Sequence, residues 1–358
     1  MTVTPRSITP WIINDRKINI ALVGCGRIAK NHIEAIKQRS SDLTLTAVCD
    51  SNVDVLKKVT EDYGVGGYDN LRQLLQGVPA DVVVLCTPSG LHPAQTIEIA
   101  QAGRHVVTEK PMATRWQDGL QMVRACEEAR VRLFVVKQNR RNATLQLLKN
   151  AVEQGRFGKI YLASINVFWT RPQSYYDQAN WRGTLEFDGG AFMNQASHYV
   201  DLLHWLLGPV QSVHAMTDTL ARNIETEDTG VMTVRWCHGG LGSVNVTMLA
   251  YPKNFEGSIT ILGEKGTVRI GGVAVNEILH WEFADVRPED EQIKAANYET
   301  SSVYGFGHPL YYDNVINTLR GKEEAETDGR EGLTSLELLI AAYRSAEEGI
   351  TVHLPLEL

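Results

Sequence analysis

Apolar residues in the first third of the chain form short unbroken runs separated by helical spacings. Residues 18–23 read as a buried strand that stops at Gly24, after which Ile28, Ala29, His32, Ala35 and Ile36 recur at helical spacing. Further runs predict strands at 43–49, 81–87, 105–109 and 133–136; the 81–87 run is nearly all apolar, as a strand covered on both faces should be. Between them the pattern predicts a short helix capped by Asp69 and running through residue 75. A second helix is expected from about 93 to 102, stopped by Gly103, and a third over 117–129. Strand, helix, strand, repeated, predicts an α/β domain with a parallel, doubly wound sheet.

The pattern changes after about residue 138. A helix at 145–154 is followed by longer, mostly alternating strands at 160–168, 230–235, 241–249, 258–262 and 267–270. The last two are joined by Gly263-Glu264-Lys265-Gly266, a plausible hairpin turn. A helix at 195–207 ends at Gly208-Pro209. This predicts an α+β domain with an open, mostly antiparallel sheet covered on one face. The expected domains are 17–138 and 139–358, with the last helix, about 331–348, a candidate to pack back on the first. The uncovered sheet face predicts self-association.

Composition narrows the function. The chain has 358 residues, 43% apolar and 22% charged, which is ordinary globular composition. A formal net charge of -7 argues against broad attraction to nucleic acid or anionic lipid. Five cysteines, Cys25, Cys49, Cys86, Cys126 and Cys237, are odd in number and lack zinc-type spacing, so they read as reduced core thiols. Residues 1–17 lack an apolar signal segment, and no run approaches the roughly 20 residues of a membrane span. The expectation is a cytoplasmic protein with no membrane partner. Histidines and acids lack metal-ligand spacing, so no metal is expected, and the tract 287–291 reads as a solvated loop.

Gly24-Cys25-Gly26-Arg27-Ile28-Ala29 fits the G-x-G-x-x-[GA] pattern at a strand-to-helix junction. Gly24 permits the turn, Gly26 admits a pyrophosphate, and Ala29 lets the helix approach the sheet. Asp50 ends the second strand 26 positions after Gly24, where a carboxylate can accept from ribose hydroxyls. A plain turn and an ordinary helix cap are the bland alternatives. No arginine follows in Ser51-Asn52-Val53-Asp54 to meet a 2′-phosphate, so NAD is expected rather than NADP.

Three further segments stand out: Thr87-Pro88-Ser89-Gly90-Leu91-His92, Glu109-Lys110-Pro111, and Asp188-Gly189-Gly190 leading to Asn194 and His198. With Asp328 to Leu333 (DGREGL), they resemble the Gfo/Idh/MocA oxidoreductase family along nearly the whole chain. That resemblance implies a Rossmann domain followed by an open-faced α/β domain. It also implies a cis bond before Pro111, fixing Lys110 against the nicotinamide. The implied cofactor contacts are Gly24, Gly26, Arg27, Ile28, Asp50 and Ser51 on the first two strands. Thr87, Pro88, His92, Glu109, Lys110 and Gln138 complete them.

Within the family, residues 135–142 (VVKQNRRN), 168–173 (FWTRPQ) and 181–203 resemble bacterial UDP-2-acetamido-2-deoxy-glucuronate 3-dehydrogenases. This implies oxidation of a sugar C3 hydroxyl and a product passed to an aminotransferase of O-antigen synthesis. A homotetramer is implied as well. Lys110 and His198 are the expected catalytic pair, without the proton being assigned to either. Asn194 lies one helical turn before His198, where the family commonly has aspartate; an amide orients an imidazole but stabilises its cation less. Lys137, Arg141, Arg171 and Arg182 are expected to meet the anionic UDP-sugar uronate, with Asn194 and His308 also at the substrate. Trp169, Tyr175 and Tyr176 are aromatic candidates for the uracil, with core packing as the alternative. His308 and Tyr312, after Gly305-Phe306-Gly307, are expected to close the site. Two other readings compete: a dehydrogenase of another sugar or cyclitol, and a non-catalytic NAD-binding sensor.

Overall fold

A computed structural model describes residues 12–300 and 307–356. The chain divides into two compact units. The first runs to Val136 and is joined by His308–Leu333; the second comprises Lys137–Gly307 with the segment from Thr334 onward. The segment His308–Leu333, which the sequence pattern assigned with everything beyond 138, thus groups with the first unit. Gly305 and Phe306 lie outside the described residues. Among the described residues no helix is long and apolar enough to cross a membrane.

The first unit holds six strands: β1 (Ile18–Val23), β2 (Leu43–Cys49), β3 (Gly66–Tyr68), β4 (Val82–Leu85), β5 (His105–Thr108) and β6 (Leu133–Val135). They form one sheet in the order β3-β2-β1-β4-β5-β6, with every pair parallel. The order reverses between β1 and β4, the switch point where such sheets place ligands. Central strands are buried on both faces, which is why their sequence is continuously apolar. The helix His308–Leu319 adds Tyr311, Tyr312, Val315 and Leu319 to the same core as His32's neighbours Ile33 and Ile36. Two caps differ from expectation. Asn70, not Asp69, caps Leu71–Gly77 by accepting from Gln73 N–H (2.9 Å), and Asn52 caps Val53–Tyr63. Asp50 is thereby released from a capping role.

The second unit adds β7 (Ile160–Phe168), β8 (Val210–Asp218), β9 (Thr229–Trp236), β10 (Leu241–Thr247), β11 (Glu256–Gly263), β12 (Gly266–Gly271), β13 (Glu277–Phe283) and β14 (Val352–His353). The eight-stranded sheet has the order β13-β12-β11-β7-β10-β9-β8-β14 and is antiparallel except for the pair β7 and β10. Strict alternation in β9, where Gly230, Met232, Val234 and Trp236 are buried, leaves one face covered and the other exposed. Strands β8 and β13 were not anticipated; their outward positions carry His214 and His280, which break the apolar signal.

The expected helix at 195–207 begins only at Ser197, because Ala191–Gln195 forms a wider π-helical turn before it. The tract 287–291 is not a free loop. Asp290 takes both guanidinium nitrogens of the buried Arg156, at 2.7 and 2.8 Å, and the indole N–H of Trp281. All five cysteines are free; four are buried and Cys237 is exposed, so the all-core reading holds for four. Burial pushes the thiols of Cys25 and Cys126 up to about 12 and that of Cys49 to about 11, which makes them poor nucleophiles.

Candidate active site

In the first unit, the glycine-rich turn follows β1 directly. Gly24 has φ +90°, and a Cβ there would meet the Cys86 backbone at 2.7 Å, so a side chain is excluded twice over. Beside Gly26 the space is open, with no atom within 4 Å of a Cβ placed there. An open glycine at the start of the helix Ala29–Gln38 fits a pyrophosphate group. Asp50 organises this cradle: Oδ2 accepts from Cys25 N–H (2.7 Å) and Oδ1 from Asn52 N–H (2.8 Å). Each oxygen keeps a lone pair for a ribose hydroxyl. Arg27 and Ser51 are exposed, and Ile28 is half-buried beside the turn. These residues fit the dinucleotide that the motif implies.

Strands β4 and β5 end in the other two motifs. The Lys110–Pro111 bond is cis, as the resemblance implied. Thr87 and Pro88 are half-buried, and Thr87 donates its hydroxyl to Gln95 Oε1 (2.6 Å). His92 and Glu109 correct the expectation of direct cofactor contact, because both are buried and their polar atoms engage the protein. His92 Nδ1 lies 3.0 Å from Pro111 O and Nε2 lies 3.0 Å from Thr87 O, so the ring ties the two strand ends together. Burial lowers its pKa against those two carbonyls. Glu109 Oε2 accepts from Lys110 N–H (3.1 Å), and Oε1 lies 3.0 Å from His32 Nε2. His32 Nδ1 lies 2.8 Å from the Tyr312 hydroxyl.

One proton arrangement satisfies this chain. Tyr312 O–H donates to Nδ1, and Nε2–H donates to Glu109, so a neutral imidazole serves both. Burial opposes charge on Glu109, but the nearby imidazole of His308 and the hydrogen bond from His32 overturn it and hold the carboxyl well below the usual range. Burial likewise lowers His32. His308, expected at the substrate, instead sits 3% exposed with Nε2 3.7 Å from Glu109 Oε1. His32, Glu109 and His308 also form, among the described residues, a group whose ligand atoms lie within 4.8 Å of one another. They come from positions 32, 109 and 308, so sequence spacing cannot register them.

In the second unit, His198 is buried in the helix Ser197–Leu207, and Gln138 Nε2 lies 3.0 Å from His198 Nε2. Gln138, expected at the cofactor, is thus the imidazole's partner. As oriented, the amide donates and holds that nitrogen unprotonated; turned over, it accepts from Nε2–H. Asn194 Nδ2 donates to Asp188 Oδ1, and Asp188 Oδ2 accepts from Gly183 N–H (2.7 Å). The buried carboxylate of Asp188 therefore backs the Asn194 amide directly.

The cations separate into two groups. Lys137 was expected at an anionic substrate, but it is 4% exposed, with Nζ 3.2 Å from Asp201 Oδ1 and bonded to Ser335 Oγ. Arg140 grips the same carboxylate with two bonds of 2.7 Å. Burial alone would push Asp201 up; Arg140 and Lys137 drive it well below the usual carboxylate range. Lys137 is therefore an internal counter-charge. Arg171 and Arg182 are half-buried and flank Tyr175, at 5.4 and 4.4 Å from its ring centre. Arg182 also donates to the Tyr175 hydroxyl (2.6 Å), and Arg171 donates to Gln195 Oε1 (3.0 Å). Arg141 is half-buried in the turn Gln138–Arg141. Trp169 and Tyr176 are core residues, which leaves Tyr175 as the accessible aromatic of the three.

Sequence reasoning gave no role to His32, Asp201, Glu227 or Tyr343. Asp201 lies three positions after His198 on the same helix, but no local pattern singled out any of the four.

Residues 18–137 match the oxidoreductase family NAD-binding Rossmann fold, and residues 149–354 match its C-terminal alpha/beta domain. The WlbA dehydrogenase from Bordetella pertussis, solved in complex with NADH and UDP-GlcNAcA, is 67% identical. That match covers 96% of this chain and 100% of the other, with a TM-score of 0.94. The WlbA dehydrogenase from Chromobacterium violaceum, solved with the same two ligands, is 63% identical over 100% of both chains, with a TM-score of 0.93. Myo-inositol 2-dehydrogenase from Thermotoga maritima is 25% identical, over 94% of this chain and 98% of the relative.

Proposed function

The chain belongs to the Gfo/Idh/MocA oxidoreductase family, and from that premise we propose that it oxidises the C3 hydroxyl of UDP-2-acetamido-2-deoxy-glucuronate with NAD. One observation carries the reading: identity of 67% along nearly the whole chain with a dehydrogenase solved with NADH and UDP-GlcNAcA. The enzyme is an NAD-dependent dehydrogenase. Bound NAD supplies the two-electron acceptor. The protein's own residues hold and orient: Asp50 and the open turn at Gly26 take the ribose and phosphates.

Oxidation of an alcohol also requires that the hydroxyl proton be accepted. Lys110 and His198 are the candidates for that role, with the proton assigned to neither; Glu109 fixes the Lys110 backbone and Gln138 follows the protonation of His198. Arg171, Arg182 and Tyr175 offer planar cations and an aromatic face to an anionic nucleotide sugar. Asn194, backed by Asp188, serves the sugar or His198.

The product, a 3-keto sugar, suits an aminotransferase step in O-antigen synthesis in the cytoplasm. The outward positions Val231 and Leu241, 39% and 46% exposed on the uncovered sheet face, favour a homotetramer. A monomeric mass in light scattering at micromolar concentration would refute that assembly. The activity is tested by NADH absorbance with NAD and UDP-2-acetamido-2-deoxy-glucuronate, coupled to an aminotransferase and an amino donor. UDP-N-acetylglucosamine and inositol serve as controls beside Lys110→Ala. Turnover with the uronate alone, lost in the variant, is the expected result. Turnover of inositol instead would move the enzyme to the cyclitol class.

A further inference from the structure

We propose that Glu227 and Tyr343 form a proton-holding clasp that positions the Gly189–Asn194 segment, and through it Asn194 and His198. The inference rests on the proposed function for the importance of those two residues, but the clasp itself is read from geometry within the second unit. Glu227 is 7% exposed and precedes β9; Tyr343 lies on the last helix, Gly329–Glu348. Neither touches the chemistry, so both are positioning residues.

The π-helical turn that follows Gly190 begins with three successive N–H groups that have no partner inside the turn. Ala191 N–H donates to the Glu227 carbonyl (3.2 Å), Phe192 N–H to Glu227 Oε1 (2.7 Å) and Met193 N–H to the Tyr343 hydroxyl oxygen (3.0 Å). The clasp thus caps the element that carries Asn194 and leads into His198's helix, a task usually done by a local side chain. Gly190, at φ +87°, lies directly against the Glu227 carboxyl, and a Cβ there would overlap it. The close approach explains the glycine.

Counting protons shows which state the clasp adopts. Tyr343 O lies 2.5 Å from Gly189 O, a pure acceptor, and 2.8 Å from Glu227 Oε1. The phenol owns one proton. If the Glu227 carboxyl is protonated, every group is matched: Tyr343 donates to Gly189 O and accepts from both Met193 N–H and the carboxyl O–H. If the carboxyl is ionised, two buried acceptors compete for one hydrogen, and the Gly189 carbonyl is left with a poor or absent bond.

Burial favours the protonated state, and the titratable groups nearby supply no positive charge to oppose it. Tyr343 from the last helix, Asp188 from the loop before Gly189 and the chain neighbour Asp228 are all acids. Asp188 is occupied with Gly183 N–H and Asn194, and Asp228 with the N–H groups of Leu220, Ala221 and Arg222. Burial pushes Glu227 up to about 7, against the N–H of Phe192 and the Tyr343 hydroxyl. The clasp is therefore closed below neutrality and loosens as the carboxyl ionises.

Hydrogen exchange of the peptide spanning Gly189 to His198 tests this in the intact enzyme without substrate. Rates are corrected for the intrinsic pH dependence of exchange. Protection in the wild type should fall about tenfold between about pH 6 and about pH 8.5, the loss of one buried hydrogen bond. Glu227→Gln, neutral at every pH, should show no step. Tyr343→Phe, which removes a single oxygen, should be poorly protected at both pH values. The pH profile of kcat/KM for UDP-2-acetamido-2-deoxy-glucuronate should lose a descending limb near neutrality in Glu227→Gln. A wild-type segment equally protected at both pH values, or a step that survives in Glu227→Gln, overturns the clasp. A normal exchange step with no turnover of the uronate overturns the substrate reading and leaves the clasp standing.

Discussion

The two units each bury a glutamate and shift its pKa in opposite directions. In the first, Glu109 carries the Lys110 backbone and is kept ionised; in the second, Glu227 carries the Phe192 backbone and is raised to about 7. Burial opposes the charge at both sites. The difference lies in the donors. Glu109 faces two imidazoles, one hydrogen-bonded to it and one 3.7 Å away, that favour its charge, whereas Glu227 has one phenol that is also claimed by Gly189 O. Asp201 makes the same point with guanidinium and ammonium partners. A buried carboxyl's state thus depends on how many protons its neighbours can spare.

The largest expected effect comes from removing the ionised member. Glu109→Ala strips the acceptor from His32 Nε2–H and Lys110 N–H, and should cost about 3 kcal/mol of stability in urea unfolding together with most of the turnover. A variant as stable and as active as the wild type would break the contrast, because Glu109 would then be no anchor.

The second test uses pH. Glu227's folded pKa lies above its ordinary 4.5, so its native state binds the extra proton. Stability should fall as pH rises from about 4.5 to about 7, by up to about 3 kcal/mol at roughly 1.4 per pH unit, and then level off. Glu109's folded pKa is depressed, so its contribution is present above 4.5 and lost as pH falls below it. Differential unfolding of wild type and Glu227→Gln across that window isolates the first slope. Parallel curves would mean Glu227 titrates normally.

The third expectation separates a backbone-built site from a side-chain-built one. Asp50→Ala removes the acceptor of Cys25 and Asn52 N–H and should weaken NAD binding about tenfold to a hundredfold, relaxing discrimination against NADP. Unchanged affinities for both cofactors, measured by fluorescence titration, would take Asp50 out of the ribose site. The smallest effect is expected at Arg182→Lys, which keeps the charge but loses the planar face over Tyr175 and Trp181. KM for the uronate should rise about threefold to tenfold with kcat little changed. A fall in kcat at constant KM would assign Arg182 to the chemical step instead.

Local sequence carried the first unit well. Runs such as 18–23 and 43–49 emerge as strands with the same ends because fully buried parallel strands need continuous apolar residues. Gly24, Asp50 and the cis bond before Pro111 sit where the motifs put them, since each is fixed by backbone geometry within a few residues. The second unit was less legible. Strands β8 and β13 have outward polar residues that blur the alternation, and the π-helical turn at Ala191–Gln195 has no periodic signal.

By itself the chain's order of residues determined the parallel sheet, the glycine turn and the acidic end of β2, because those depend on burial pattern and on neighbours a few positions away. Which charges are free for a ligand was decided only in three dimensions. Lys137 reads like a substrate cation until Asp201, 64 positions on, neutralises it; Glu109 reads like a cofactor contact until His32 and Tyr312 close over it. Proton positions follow the same rule: a carboxyl is acid or base according to the donors that distant segments bring within about 3 Å, and no local pattern encodes that distance.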